Sequence, residues 1–597
     1  MNIQTNQRID ALREVMRREG IDAFIFPSTD PHNGEYVPER WEGRKWISGF
    51  DGSAGTAVVT MNEAALWTDS RYFIAAARQL EGTGFRLMKE RVEGTPTIVE
   101  WLGMKLSALD KPVVGVDGMV NSAAAVDELT AGLRAEGGIS VRTNFDPLDL
   151  IWNDRPPVPL DKIEIQPLEY AGESCRSKLG RIRKALRERH ACGMFAAALD
   201  DIAWTLNLRG TDVHCNPVFV GYLLIAPESA TLFTDDAKLT DEVRAYLAAE
   251  GVGTAGYGYK EVSRALADYK EYNILMDDNE INHNLFNVPK CRRVVCSSPI
   301  PYMKAVKNET EIAGFHNAML RDGVAMVKFL RRLKPAVEAG GQTEMSVDRM
   351  LTALRAEQPL FRGISFDTIA AYNEHGAIVH YEATPETDAE LRPEGLLLLD
   401  SGAQYTDGTT DITRTIALGA LTEEQRLVYT LVLKGHIALS RCKFPRGATG
   451  TQLDALARSV LWEHGMNYLH GTGHGVGSYL NVHEGPHQIR MEHRPAPLIE
   501  GMTVTDEPGI YLEGRFGVRI ENTLITKPYM KTEFGEFLQF EPLTLCPIDL
   551  TPVIKEMLTT EERAWINDYH RTVYDKLAPL LDGEDLEWLR LNTAEMS

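Results

Sequence analysis

Apolar residues in IDALREVMRREG (9–20) recur at helical spacing, and the short apolar run IDAFIFPS that follows reads as a strand. From Trp46 to Phe73, WISGFDGSAGTAVVTMNEAALWTDSRYF predicts strands joined by glycine-rich and Asn-Glu turns, then a helix. The Pro-rich stretch PPVPLDKIEI at 156–165 reads as a linker. Beyond it, SKLGRIRKALRERHACGMFAAALDDIAWTLNLRG predicts mostly helix, and VFVGYLLIAPESATLFTDDAKL a strand, a turn and a strand. Within that hairpin Thr231-Leu232-Phe233-Thr234-Asp235 echoes Ala65-Leu66-Trp67-Thr68-Asp69. Two hairpins can match by chance; a duplicated domain, which the helix–strand order also favours, is the other explanation.

A third segment opens near residue 300 with IPYMKAVKNETEIAGFHNAMLRDGVAMVKFLRRL. Asn308 suits an N-cap, with Glu311 three residues on as in a capping box, and apolar positions then recur at helical spacing. The end of the chain, TTEERAWINDYHRTVYDKLAPLLDG, mixes charge and apolar residues at helical spacing and reads as structural. The expected class is α/β (α+β), with domains at 1–155, 156–300 and 301–597, the last carrying a C-terminal extension from about 528.

Composition adds limits. A chain of 597 residues is too long for one core. Its net charge of −22 argues against binding nucleic acid or an anionic membrane surface. Seven scattered cysteines, an odd number with no Cys-x-x-Cys pair, suit reduced thiols in a cytosol. The polar start lacks the apolar core of a signal peptide, and no apolar run is long enough to span a membrane.

The chemistry concentrates downstream of the third segment's helix. LLLL at 396–399 predicts a buried strand ending at Asp400, and ITRTIAL after Asp411 another. The turn-like YTDGTT between them predicts a hairpin that sets the two aspartates opposite each other, with a bulge or longer turn. A lone Asp beside a turn is usually a cap, but a carboxylate ending a buried strand needs a partner. His470 and His474 have the i,i+4 spacing of a helical zinc pair, yet Gly471, Gly473, Gly475 and Gly477 alternate through them. Each glycine would cost a helix about 1 kcal/mol, so the segment is looped or extended, with His470, Thr472 and His474 facing one way if extended. His483 follows in NVHEGP. Glu507, in TVTDEPGIY, falls at a strand end before a tight turn. In FGVRIEN, Arg519 and Glu521 share one strand face, which on an edge strand could simply meet solvent. Four carboxylates and an imidazole brought to one point would repel unless a cation held them, and such donors suit manganese.

Taken together, DSGAQYTDGTTDITRT, LHGTGHGVGSYLNVHEGP, DEPGIY and RIEN resemble the signatures of the pita-bread metallopeptidases (peptidase family M24). The likeness is strongest to the long, three-domain, cytosolic type of Xaa-Pro aminopeptidase. FEPLTLCPIDL and WINDYH are similar to that branch's C-terminal extension. The two N-terminal segments are similar, less specifically, to its paired creatinase-type domains. The resemblance implies two divalent ions, manganese by family habit. Asp400 would be a terminal ligand of one, Asp411 and Glu521 would bridge both, and His474 and Glu507 would bind the other. It further implies that Glu507 is the general base and that His380, in GAIVHYEAT, His470 and His483 line the active site. Within it, His380 and His483 would contact substrate, Arg519 would position Glu521 or a substrate group, and Tyr511 would line the pocket.

The implied reaction is hydrolysis of the N-terminal X-Pro bond by a hydroxide activated between the two metals. Peptides with proline second are the expected partners, and a cytoplasmic homodimer the expected form. A prolidase, a methionine aminopeptidase or a non-catalytic peptide-binding relative remain alternatives.

Overall fold

The amphipathic start folds as helix α1 (Asn2–Glu19), which ends where Gly20 adopts a left-handed φ of 68°. Its apolar positions Ile9, Leu12, Val15 and Met16 are all buried. Strand β1 (Ala23–Phe26) follows. These elements open a computed structural model that describes residues 2–596. The chain divides into two compact units, Met1–Gln166 with Glu173–Ile300, and Pro167–Gly172 with Pro301–Ser597.

The first unit contains the same sheet twice. Strands β1, β2 (Thr56–Thr60), β3 (Ala64–Thr68), β4 (Phe85–Lys89), β5 (Val113–Val116) and β6 (Ser140–Arg142) lie in the order β4-β3-β2-β1-β5-β6. Strands β7 (Met194–Ala196), β8 (Tyr222–Ile225), β9 (Ala230–Phe233), β10 (Val252–Ala255), β11 (Asn273–Met276) and β12 (Arg292–Val295) lie in the order β10-β9-β8-β7-β11-β12. Every parallel and antiparallel pairing of the first sheet recurs in the second. ALWTD and TLFTD begin in the equivalent strands β3 and β9 and run off their C-terminal ends. Six strands agreeing in order and direction favour duplication over a chance match of hairpins.

Two expectations change here. Trp46, Ile47 and Ser48 belong to a short helix, Gly43–Ser48. The segment expected to be mostly helical contains β7 between helices Cys175–Glu188 and Leu199–Leu206. Strand β7 is central and buried on both faces, so its residues carry no alternation that would separate it from the helices around it.

The second unit opens with α2 (Glu309–Ala339), capped reciprocally by Asn308 and Glu311 as their spacing predicts, and α3 (Glu344–Ala356). A small antiparallel sheet of β13 (Ile369–Tyr372), β14 (Leu396–Ser401) and β15 (Ile412–Ala417) follows, with β14 in the middle. Leu396–Leu399 are at most 1% exposed because both faces of β14 are covered. Each such leucine contributes about 1.5–3 kcal/mol, which explains an unbroken apolar run. Then come α4 (Glu423–Ser440), α5 (Gly450–Trp462), β16 (Gly473–Gly475) and β17 (Thr503–Asp506). The hairpin β18 (Gly509–Leu512)–β19 (Phe516–Arg519) is followed by the long hairpin β20 (Asn522–Thr532)–β21 (Gly535–Pro542), and β20 also pairs with β17.

Near the C-terminus α6 (Thr560–Leu577) places Ile566, Val573 and Leu577 in one core cluster with Val428 and Val432 of α4 and Val518 of β19. All seven cysteines are free. Among the described residues no helix is long and apolar enough to cross a membrane.

Candidate metal centre

Strands β14 and β15 deliver the first two carboxylates. Their register pairs Asp400 with Thr413 and Ser401 with Ile412, so Asp411 lies just before β15 rather than opposite Asp400. The offset arises because the chain reverses at Thr406-Asp407, a two-residue turn closed by the Tyr405–Gly408 pair rather than the bulge or longer turn expected, and the strands Ala403–Tyr405 and Gly408–Thr409 on either side of it keep the same register. Asp411 and Thr413, two apart, share a face.

The glycine-rich segment is no helix, as expected. His474 sits at the centre of β16. Gly473 is required here because a Cβ on it would stand 1.9 Å from the Thr505 carbonyl of β17. That close approach sets His474 beside Glu507, whose backbone N–H donates to Thr472. The expected common direction of His470, Thr472 and His474 does not hold. The Thr472 hydroxyl bonds Asp454 and Tyr468, His470 meets Tyr511, and His474 meets the carboxylates. The chain bends at residues 470 and 472, so strand alternation starts only at 473.

Asp411, His474 and Glu521 each offer one ligand atom, and these lie within 4.8 Å of one another. His474 Nε2 stands 3.5 Å from Asp411 Oδ2 and 3.5 Å from Glu507 Oε1. Asp400 joins through Arg519, whose Nη2 and Nε donate to its Oδ2 at 2.6 and 3.1 Å. Glu521 lies between β19 and β20 and is 1% exposed; Arg519 is 2% exposed, so neither is the solvent-facing edge residue that alternation alone allowed.

Tyr511, His470 and His483 lie beside this group, and His380 follows a residue that does. Tyr511 of β18 accepts from Arg519 Nη1 at 2.7 Å and has His470 Nε2 at 2.8 Å. The His483 ring meets the His474 ring edge-on at 4.4 Å. His380 lies in the turn after β13, and the preceding Val379 carbonyl is 3.4 Å from Arg519 Nη1.

Two hydroxyls escaped the sequence reading. Thr413 donates to Glu521 Oε2 at 2.8 Å and accepts from Arg519 Nε at 3.2 Å. Thr505 donates to Glu507 Oε1 at 3.2 Å and accepts the His474 N–H at 3.0 Å. Their signal was period-two spacing from Asp411 and Glu507 within the same motifs.

The electrostatics call for positive charge. Burial, then Asp400 and Glu507, push the Asp411 carboxyl well above the usual carboxylate range, and burial with Asp411, Asp400 and Glu507 does the same to Glu521. Burial raises Glu507 to about 7 against the opposing pull of Arg519. Asp400 Oδ1 is buried with no hydrogen-bond donor among the described residues. Such oxygens, with one imidazole, fit hard or borderline divalent cations, and the residues present are adequate ligands for them.

Four family models match in order along the chain. Residues 8–151 and 154–311 match creatinase/prolidase N-terminal domains. Residues 313–528 match metallopeptidase family M24 and 536–596 its C-terminal region. A probable Xaa-Pro aminopeptidase P of Laccaria bicolor is 39% identical, covering 98% of this chain and 93% of its own. One from Aspergillus niger is 38% identical over 100% of this chain and 99% of its own. The crystal structure of an X-prolyl aminopeptidase from Caenorhabditis elegans, described as a cytosolic enzyme with a di-nuclear active site, superposes with a TM-score of 0.94 at 34% identity. It covers 99% of this chain and 100% of its own. An Xaa-Pro dipeptidase from Bacillus anthracis, 25% identical with a TM-score of 0.52, covers 64% of this chain and 100% of its own. The chain belongs to metallopeptidase family M24, in the full-length group whose members bear the name Xaa-Pro aminopeptidase P.

Proposed function

We propose that this chain is a two-metal aminopeptidase that removes the first residue from peptides with proline second. The observation that carries the proposal is the meeting of Asp411, His474 and Glu521 within 4.8 Å, with Asp400 and Glu507 beside them. On this reading Asp400 would help hold one ion and His474 and Glu507 the other, with Asp411 and Glu521 contributing to both. Oxygen-rich ligation favours manganese. Bound divalent ions would supply Lewis acidity for the scissile carbonyl and lower the pKa of water.

The chain's own groups do the rest. Thr505 holds Glu507 Oε1, which leaves Oε2 to take a proton from the attacking water and pass it toward the leaving proline nitrogen. His483, against the His474 ring, contacts the substrate carbonyl, and His380 steadies the developing oxyanion. Arg519 keeps Asp400 and Tyr511 in place, and Tyr511 in turn orients His470. The substrate's free amine lies beside Asp400, whose Oδ1 lacks a donor among the described residues. An X-Pro bond is a tertiary amide with no N–H to bind, so selection rests on the ring and the free amine.

Full-length likeness to aminopeptidase P relatives, against 64% coverage by the dipeptidase, favours this reading over a prolidase. We take residues 1–155 and 156–300 as creatinase-like domains, 301–597 as the catalytic domain with its extension, and the enzyme as a cytoplasmic homodimer. Light scattering of the purified chain tests the dimer. The test of function is hydrolysis of Arg-Pro-Pro against an X-Pro dipeptide in manganese. Release of arginine from the tripeptide is expected, abolished in Asp411→Ala and lowered about 10²–10⁴-fold in Glu507→Ala with circular dichroism unchanged. Cleavage of the dipeptide alone overturns the aminopeptidase reading.

A further inference from the structure

Behind the ligands lies a buried polar layer that the proposed reaction leaves unused. At its centre is Arg414 of β15, 1% exposed. Its Nη1 donates to the carbonyls of Thr413 at 3.0 Å and Glu521 at 2.7 Å. Its two Nη2 hydrogens are shared among Asn522 Oδ1 at 2.9 Å, the Cys546 carbonyl at 2.8 Å and the Tyr569 hydroxyl at 2.9 Å. Its Nε donates to the Pro547 carbonyl at 3.0 Å. None of these acceptors is a carboxylate. A guanidinium buried among neutral acceptors is a costly arrangement, and here it grips the backbone of a ligand.

The Thr413 carbonyl that Arg414 binds also accepts the Glu521 N–H at 3.1 Å. The Thr413 hydroxyl holds the Glu521 carboxylate. Glu521 is therefore fixed by its side chain from one residue and by its own carbonyl from the next. Three of the six acceptors, Cys546, Pro547 and Tyr569, come from the C-terminal segment. Trp565, one turn before Tyr569 on α6, stacks on it at 5.4 Å and meets His436 edge-on at 5.8 Å. His436 Nδ1 is 3.3 Å from Asp506 Oδ2, and its Nε2 is 3.3 Å from Asn522 Nδ2. Asp506 precedes Glu507, and Asn522 follows Glu521. One face of α6 thus backs onto the neighbours of two ligands.

We propose that Arg414 and Tyr569 are positioning residues for the metal centre, through which the C-terminal segment sets metal affinity. This rests on the reading of Asp400, Asp411, His474, Glu507 and Glu521 as metal ligands. Ligand atoms must be held to a few tenths of an ångström, and the Glu521 junction between β19 and β20 is where Arg414 supplies that restraint. Outer partners of this kind typically change metal affinity 10–100-fold.

The test uses the full chain stripped of metal. Binding of Mn2+, Co2+ and Zn2+, each alone, is measured by competition with a chelating dye, beside the Tm of the stripped protein. Tyr569→Phe, which removes one oxygen, is expected to weaken metal binding about tenfold and Arg414→Lys about 10–100-fold, with activity regained at raised metal and KM for Arg-Pro-Pro unchanged. Leu589→Ala, in a buried position of the last helix outside this network, is expected to lower Tm without changing metal affinity. Wild-type affinity in Tyr569→Phe overturns the proposal even if Arg414→Lys fails to fold. So does an equal loss of affinity in Leu589→Ala. A wild-type chain that binds none of the three ions overturns the metal reading and this proposal with it.

Discussion

At the scale of the residue, Thr413 shows how much a small polar side chain contributes to a charged site. Its hydroxyl lies between the Glu521 carboxylate and the Arg519 guanidinium. Valine there keeps the shape and removes both hydrogen bonds. Thr413→Val is expected to weaken metal binding or lower activity 10–100-fold, with Tm little changed; kinetics across a manganese titration check it. The five ligand candidates were legible because each carries a charge or an imidazole in a turn-rich context. Thr413 and Thr505 carried only their period-two spacing from a ligand, and Arg414 carried no signal, because a threonine in a strand and a lone arginine read as ordinary strand residues until their partners, up to 155 positions away, are known.

At the scale of the element, caps and periodicity carried most of the fold. Asn308 closes its capping box with Glu311 and also donates to the Ala171 carbonyl. Asn308→Ala is expected to cost about 1 kcal/mol, measured as a lower denaturation midpoint of the second unit. Helix α6 carries a pH dependence. His570 accepts the Ile548 N–H at Nε2, and burial followed by Arg414 lowers it to about 4. Unfolded, it would titrate near the ordinary value of about 6.5. Between these values the unfolded chain binds more protons, so stability present above about pH 6.5 is lost as pH falls toward 4. The drop in Tm from pH 7 to pH 5 should be smaller in His570→Gln; an equal drop would refute it. The sequence missed strand β7 because a short central strand buried on both faces has no polar side to mark its period.

At the scale of the whole molecule, two sheets of identical order point to a duplicated N-terminal half, and a C-terminal helix shares the core cluster of the second unit. Metal and stability are linked there. A metal present at 100 times its Kd adds about 2.7 kcal/mol to the folded state. Chelation with EDTA should therefore abolish activity and lower the calorimetric transition of the second unit by several degrees, and manganese should restore both. A transition indifferent to EDTA would count against ions held by buried carboxylates.

The sequence by itself determined the ligand types, the refusal of a helix around His470 and His474, and the capped helix that opens the second unit. Charge, glycine content and periodicity are local properties, written in adjacent residues. Only the tertiary structure decided the offset of Asp400 from Asp411, the bend that turns Thr472 toward Asp454, and the joining of α6 to Glu521 through Arg414. Those depend on strand register and on contacts across more than a hundred residues. Register is set by which backbone groups pair, and no single segment carries that information.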